Sequence, residues 1–196
     1  MHNNLAIFYC GTNGAGKSTL RSLNQDVVQI VIDSDHIAMQ INPTNPRLAD
    51  LEAGRKAIEL FKFAIKNQIS FSMESTLSGK SILQRMKTAK ENDFKVRLNY
   101  VGVDSVNINI ARVRARVLSG GHFIDEQTIK NRYTISREHL NSAISFCDEV
   151  FIFDNSGKSP KAMLYIENQQ ITQIADELVD WCKVLLDELL GLGFEI

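Results

Sequence analysis

Gly11-Thr12-Asn13-Gly14-Ala15-Gly16-Lys17-Ser18 is the stretch whose reading decides the fold. It satisfies the pattern G-x-x-x-x-G-K-[ST] without a mismatch, after the apolar run Leu5–Cys10 and before the helix-compatible Lys17–Leu23. Glycines let successive backbone N–H groups turn inward and wrap phosphate oxygens, which larger side chains would block. In that geometry Lys17 sets an ammonium beside the β- and γ-phosphates of ATP, and the Ser18 hydroxyl ligates Mg²⁺. The helix N-terminus behind them adds partial positive charge. Gly11, Thr12, Asn13, Gly14, Ala15, Gly16, Lys17, Ser18 and Thr19 are therefore the expected nucleotide-binding residues. The competing reading, a glycine-rich turn with a surface lysine, accounts for neither the preceding strand nor the following helix.

Outward from this loop, apolar runs of strand length alternate with segments of helical period, which predicts an α/β fold with a doubly wound, mainly parallel sheet. Strands are expected at Leu5–Cys10, Val27–Asp33, Ile69–Glu74, Val96–Val103 and Val150–Asp154. Their near-continuous apolar character suits parallel strands covered on both faces. Helices are expected over Leu48–Asn67, with Leu51, Ile58, Phe61 and Ile65 inward, and after Ser78, with Ile82, Leu83 and Met86 inward. A further helix capped by Ser105 would bury Val106, Ile110, Val113 and Val117 and stop at Gly120-Gly121. Asp125–Cys147 reads as one longer helix. Residues 112–135 would form a helical lid. A hairpin near Ala162–Ile171 and an amphipathic helix bearing Ile174, Leu178, Cys182, Leu185 and Leu189 would fill 160–192. That last stripe either packs on the sheet or docks a partner. Residues 1–196 are expected to form one domain.

Composition narrows the function classes. At 196 residues, 44% apolar and 23% charged, the chain can bury a proper core. A net charge of −1 gives no reason to expect a nucleic-acid or membrane partner. Cys10, Cys147 and Cys182 have neither metal-knuckle nor redox spacing and read as small core residues, a usage suited to a reducing, cytoplasmic setting. No signal-peptide pattern and no bilayer-length apolar window is present.

Three clusters then converge on the carboxyl edge of the sheet, where open α/β folds bind ligands. Asp33 and Asp35 follow the second expected strand. Asp35 suits a general base that takes the proton of an attacking hydroxyl, or else the cap of a helix beginning at His36; Asp33 is the reserve base. Glu74 ends the third strand and would hold Mg²⁺ through water or hydrogen-bond a substrate hydroxyl. Arg112 and Arg116 share a helix face, Arg114 points elsewhere, and His122 and Arg132 follow; phosphoryl transfer needs cations over the moving group. Asp154, in the turn-like Asp154-Asn155-Ser156-Gly157, is a poor Walker B acid, which favours a small-molecule kinase over a motor ATPase. Leu118-Ser119-Gly120-Gly121 mimics the ABC-transporter signature. Asp125-Glu126 follows with no strand between, so the glycines read as a helix stop leading into the lid.

As an ordered set these residues resemble the zeta-toxin family of P-loop kinases, and most closely its stand-alone branch, the predicted ABC-type ATPases. The resemblance runs through the phosphate loop, Asp35-His36-Ile37-Ala38, Glu74-Ser75-Thr76-Leu77-Ser78-Gly79, Arg112–Arg116 with Gly120-Gly121-His122, and Phe153-Asp154-Asn155-Ser156. It implies an adenylate-kinase-like fold and transfer of the ATP γ-phosphate to a sugar hydroxyl of UDP-N-acetylglucosamine or a related UDP-sugar. It also implies a toxin held in check by a small, separately encoded antitoxin. By the same resemblance Asp35 is the base, Lys17 and Ser18 serve ATP and Mg²⁺, Glu74 and Thr76 lie at the substrate, and Arg116 or Arg112 touches the phosphates. The family carries a second lid arginine, and that position falls on His122; His122 or Arg132 would substitute. A kinase of another small metabolite and a nucleotide-dependent regulatory module are the competing readings.

Overall fold

The computed structural model describes residues 4–24, 26–121 and 123–196. Within them one sheet holds β1 (Asn4–Cys10), β2 (Ile30–Ile32), β3 (Phe71–Ser75), β4 (Phe94–Gly102), β5 (Glu149–Asp154), β6 (Lys161–Glu167) and β7 (Gln170–Gln173). The strand order is β2-β3-β1-β4-β5-β6-β7. The first five of these are parallel and the last two add an antiparallel edge. The helices are α1 (Lys17–Asn24), α2 (Ser34–Ile41), α3 (Asp50–Lys66), α4 (Lys80–Glu91), α5 (Val106–Leu118), α6 (Glu126–Glu138), α7 (Leu140–Ile144) and α8 (Asp180–Gly191). A 3₁₀ turn at Pro46–Ala49 leads into α3.

Central β1 shows why the sheet is wound on both sides. Alternate side chains point to opposite faces of a strand. Ala6, Phe8 and Cys10 join the large core that includes Phe61 of α3, Met86 of α4 and Cys182 of α8. Ile7 and Tyr9 face the other way, against Leu20 of α1 and Val101. Both sides are dry, so β1 reads as an unbroken apolar run. The loop after it emerges at the middle of the carboxyl edge, with β3 and β2 on one flank and β4 and β5 on the other.

Several boundaries differ from the sequence expectation. The strand expected over Val27–Asp33 contracts to three residues, and Val27 is 93% exposed, because β2 lies at the sheet edge and among the described residues pairs only with β3. Helix α3 buries Ala53, Ala57, Phe61 and Ala64 instead of Leu51 and Ile58, which are solvent-facing. Gly79, not Ser78, precedes α4, and the Ser78 hydroxyl pairs with that of Thr76 at 2.7 Å. The segment Asp125–Cys147 divides at His139 into α6 and α7. Ser105 caps α5 as expected, through Asn107 N–H. Asn168 and Gln169 adopt positive φ and close the β6–β7 hairpin, the turn geometry that suits strand twist.

The C-terminal stripe packs inward. Leu178, Cys182, Leu185 and Leu189 are buried, while Ile174 lies before the helix and is half exposed. Trp181 fits over Gly102, where a Cβ would sit 2.5 Å from the indole, and meets Tyr100 edge-on at 6.1 Å. Its Nε1–H donates to Asp154 Oδ1 at 2.9 Å. Burial pushes the thiols of Cys10 and Cys182 up to about 12, which leaves them inert as well as enclosed. Among the described residues no helix is long and apolar enough to cross a membrane.

Removing the indole deletes a large buried side chain and takes one of the hydrogen-bond donors from buried Asp154. Trp181→Ala is expected to cost about 3–5 kcal/mol in urea unfolding. A loss below about 1 kcal/mol would show that α8 is not part of the cooperative core.

Candidate active site

Gly11 and Gly16 have φ of +142° and +104°. A Cβ on Gly11 would lie 2.2 Å from the Val101 carbonyl oxygen, and one on Gly16 would lie 2.2 Å from Asn155 Nδ2. The loop is thus pressed against its surroundings, and its carbonyls are held from outside. Buried Asn109 donates through Nδ2 to Asn13 O at 2.8 Å, and buried Asn155 donates through Nδ2 to Ala15 O at 2.7 Å. Arg132 donates to the Asn13 side-chain oxygen at 2.9 Å. Among the described residues no acceptor engages the backbone N–H groups of Gly14, Gly16 or Lys17. They are left for an anion.

The acids sort themselves by what already holds them. Asp33 caps α2, its Oδ1 accepting from the N–H groups of Asp35 and His36 at 3.1 and 3.2 Å. Its Oδ2 accepts from Arg21 at 3.2 Å. The helix therefore starts at Ser34, two residues earlier than a cap at Asp35 would give, and Asp33 is committed to that structural work. Asp35 lies exposed in the first turn of α2, and no hydrogen bond or ion pair among the described residues engages its carboxylate. Glu74 Oε2 accepts from the Ser18 hydroxyl at 3.0 Å, and its Oε1 stands 3.1 Å from Arg21 Nε.

Arg21 is the residue that the sequence reading missed. It lies one helical turn beyond Lys17 and spans Asp33 and Glu74, tying the phosphate loop to the ends of β2 and β3. Its spacing after the loop was the available signal. Burial raises the Glu74 pKa above the ordinary carboxylate range, with nearby Asp33 adding to the effect and Lys17, Arg21 and Ser18 opposing it. Burial lowers that of Lys17, against the pull of Glu74 and Asp35.

A cleft of about 770 Å³ unites most of the predicted residues: Lys17, Ser18, Thr19, Asp35, Glu74 and Thr76 on one side, and Arg112, Arg116 and Arg132 on the other. Arg112 donates to Gly157 O at 3.1 Å, so it also braces the loop after β5. Arg114 does not line the cleft, in keeping with its expected outward direction, and it pairs with Glu126. His122 lies outside the described residues. Asp154 is buried and occupied by Ser156 and Trp181, which suits a turn-holding acid and not a metal ligand. Gly120, at φ +83°, ends α5, and the N–H of Gly121 returns to Arg116 O at 2.9 Å. Leu77 is buried with φ +59°, a strained conformation for a branched side chain, and His139 Nδ1 hydrogen-bonds its carbonyl at 2.9 Å. The strain lies directly after Thr76, at the edge of the cleft.

A mainly parallel sheet whose central strand delivers this loop to its carboxyl edge defines a P-loop nucleotide-binding protein of the α/β class. The chain belongs to the zeta toxin family, whose model matches residues 2–179. It is 75% identical over 130 residues to an uncharacterized protein of Haemophilus influenzae, a match covering 66% of this chain and 93% of that one. Among solved structures it is similar to a chain of the AvrRxo1-ORF1:-ORF2 complex with ATP, with a TM-score of 0.71 at 11% identity. That match takes in 95% of this chain but only 63% of the other. It is also similar to a chain of the PezAT chromosomal toxin–antitoxin system of Streptococcus pneumoniae, with a TM-score of 0.58 at 16% identity, covering 97% and 85% of the two chains. At those identities the structural likeness concerns the fold.

The Glu74 shift has a measurable consequence. A carboxyl whose folded pKa is raised costs nothing while both states are protonated, and its penalty grows as pH rises from its ordinary value through its folded one. Glu74→Gln keeps an acceptor for Ser18 and removes the penalty. Its melting temperature is expected to exceed that of the wild type at about pH 8, with the gap closing toward about pH 4. A gap that is constant across that range would contradict a buried, desolvated carboxylate.

Proposed function

We propose that this protein is a kinase that moves the γ-phosphoryl group of ATP to a sugar hydroxyl of UDP-N-acetylglucosamine or a related UDP-amino sugar, acting as a toxin. The observation that carries the kinase reading is the Asp35 carboxylate. Asp33 does the capping, so Asp35 is left uncommitted beside the loop, near enough for its charge to support the Lys17 ammonium. A nucleotide switch has no need of a carboxylate in that place.

The reaction is a displacement at phosphorus. The acceptor oxygen forms a bond to the γ-phosphorus as the bond to the bridging oxygen of ADP breaks, and Asp35 takes the proton of the acceptor hydroxyl. Lys17 and the loop N–H groups hold the β- and γ-phosphates. Arg116 and Arg112 approach from the lid side, where charge builds up in the transition state. Arg132 keeps Asn13 in place and serves the site through the loop. Mg²⁺ fits what is present: the Ser18 hydroxyl and the Glu74 carboxylate are 3.0 Å apart, and Glu74 Oε1 is buried without an aligned hydrogen bond. Such hard oxygen donors are its usual partners, and when bound it would neutralise phosphate charge. Thr76 and Glu74 border the space for the acceptor.

Family membership supports the toxin role, and PezAT supports a small, separately encoded antitoxin as the regulating partner. The acceptor is the least constrained part of the reading. A nucleoside, nucleotide or dinucleotide in the same space would keep the mechanism and change the biology.

The test is incubation with Mg-ATP and a panel of UDP-sugars, nucleosides and dinucleotides, read by mass spectrometry. A phosphorylated UDP-N-acetylglucosamine that disappears in Lys17→Ala is the expected product. Asp35→Ala is expected to lower kcat by about 10²–10⁴-fold while Mg-ATP binding is retained. Undiminished turnover in Asp35→Ala would remove it as the base. ATP binding without transfer to any acceptor would favour a regulatory module.

A further inference from the structure

The loop after β1 divides the cleft into two flanks of opposite character. On the β4–β5 flank stand Arg112, Arg116, Arg132 and Lys158, a set of cations suited to the nucleotide phosphates. On the β2–β3 flank stand Asp33, Asp35 and Glu74, with Thr76. Arg21 on that flank is taken up by Asp33 and Glu74. One more cation lines the cleft there. It is Arg85, which reaches in from the middle of α4.

Arg85 has an unusual set of neighbours for an arginine among three acids. No ion pair among the described residues involves it. Its guanidinium lies 5.9 Å from the centre of the Phe61 ring, and its Nη1 is 3.8 Å from the sulfur of Met73. The first is a cation–π contact and the second a weak N–H···S hydrogen bond; together they orient the guanidinium, but neither sets a carboxylate against its charge. The group is half-buried, and burial lowers its pKa below the ordinary arginine value. An arginine used only for packing would turn its head to water or to Glu74. Here it is half-buried, oriented by Phe61 and Met73, and lines the cleft with no carboxylate paired to it among the described residues.

We propose that Arg85 is the anion anchor of the acceptor subsite, taking a phosphate group of the molecule that is phosphorylated. This rests on the kinase reading above and assigns to one residue of this chain the recognition of the phosphate that a UDP-sugar or a nucleotide carries and a free sugar or nucleoside lacks. The planar guanidinium matches two phosphate oxygens at once. Its place on the β2–β3 flank puts that anion on the Asp35 side of the loop, so the acceptor's phosphate would be held from α4 and its reacting hydroxyl from the start of α2. The acids around it discourage a second polyphosphate from lying there loosely. Only an anion that reaches Arg85 is compensated.

Binding to the full-length protein saturated with Mg and the non-hydrolysable analogue AMP-PNP tests this, with the phosphate loop already filled. The anionic probes are UDP-N-acetylglucosamine, uridine diphosphate and inorganic phosphate; the neutral ones are N-acetylglucosamine and uridine. The wild type is expected to bind at least one anionic probe. Arg85→Met, which keeps the packing on Phe61, is expected to weaken that binding about 10–100-fold, the range for a lost charged hydrogen-bond pair. Arg85→Lys is expected to recover part of the loss, and AMP-PNP affinity is expected to stay within about twofold in both variants, since the nucleotide has its own cations. Unchanged affinity for the anionic probe in Arg85→Met would overturn the proposal. So would a loaded wild type that binds no anionic probe, or an equal loss of AMP-PNP binding. The kinase reading fails separately, by absence of phosphoryl transfer, because the anion site is judged on binding alone.

Discussion

Six residues of backbone, Gly11 to Gly16, must turn their N–H groups toward one point, and a chain does not hold that shape unaided. The carbonyls that face the other way need partners, and buried ones left without any would cost about 1–3 kcal/mol each. Asn109 and Asn155 supply those partners from α5 and from the end of β5, at 2.8 and 2.7 Å. Asn155 in turn fills the space that a side chain at position 16 would need. The anion cradle is therefore an agreement between three segments far apart in the chain. The central sheet matters to function because it fixes the distance between them.

The same site concentrates charge where water is scarce. Lys17 and Glu74 both have their charged forms disfavoured by burial, and each is partly relieved by the other. Arg21 completes the balance by spanning Asp33 and Glu74. Such a cluster is a poor source of stability, because desolvation offsets the attraction. It is well suited to receiving phosphate and metal charge, which would settle Lys17 and Glu74 in their ionised forms. The division of labour between neighbouring aspartates follows the same economy: Asp33 holds the helix so that Asp35 need not. The strained Leu77, held by His139, continues this pattern of structural residues carrying the cost of an open site.

How much of this was legible in the sequence depends on whether a residue's role is local. The phosphate loop, β1 and the Ser105 cap are specified by neighbours in the chain, and pattern alone located them. Asp35, Glu74, Thr76, Arg112, Arg116 and Arg132 line one cleft, because the ends of parallel strands and the segments that follow them meet at one edge of the sheet. Arg21 and Asn109 escaped notice since each acts on a partner distant in sequence, and nothing local marks an asparagine on a helix as a loop clamp. The inward face of α3 was misjudged for a related reason. Alanines at 53, 57 and 64 permit close approach to the sheet, so the larger Leu51 and Ile58 were turned outward.

The proposed transfer requires one orientation: nucleotide phosphates in the loop, with the γ-phosphate turned to the β2–β3 flank where Asp35 and Arg85 stand. A crystal structure with Mg-AMP-PNP and UDP-N-acetylglucosamine measures it directly. The γ-phosphorus is expected on the Asp35 side of Lys17, with an acceptor hydroxyl between the phosphorus and the Asp35 carboxylate. A γ-phosphate directed toward Arg132 and away from Asp35, with no acceptor density on the β2–β3 flank, would contradict it.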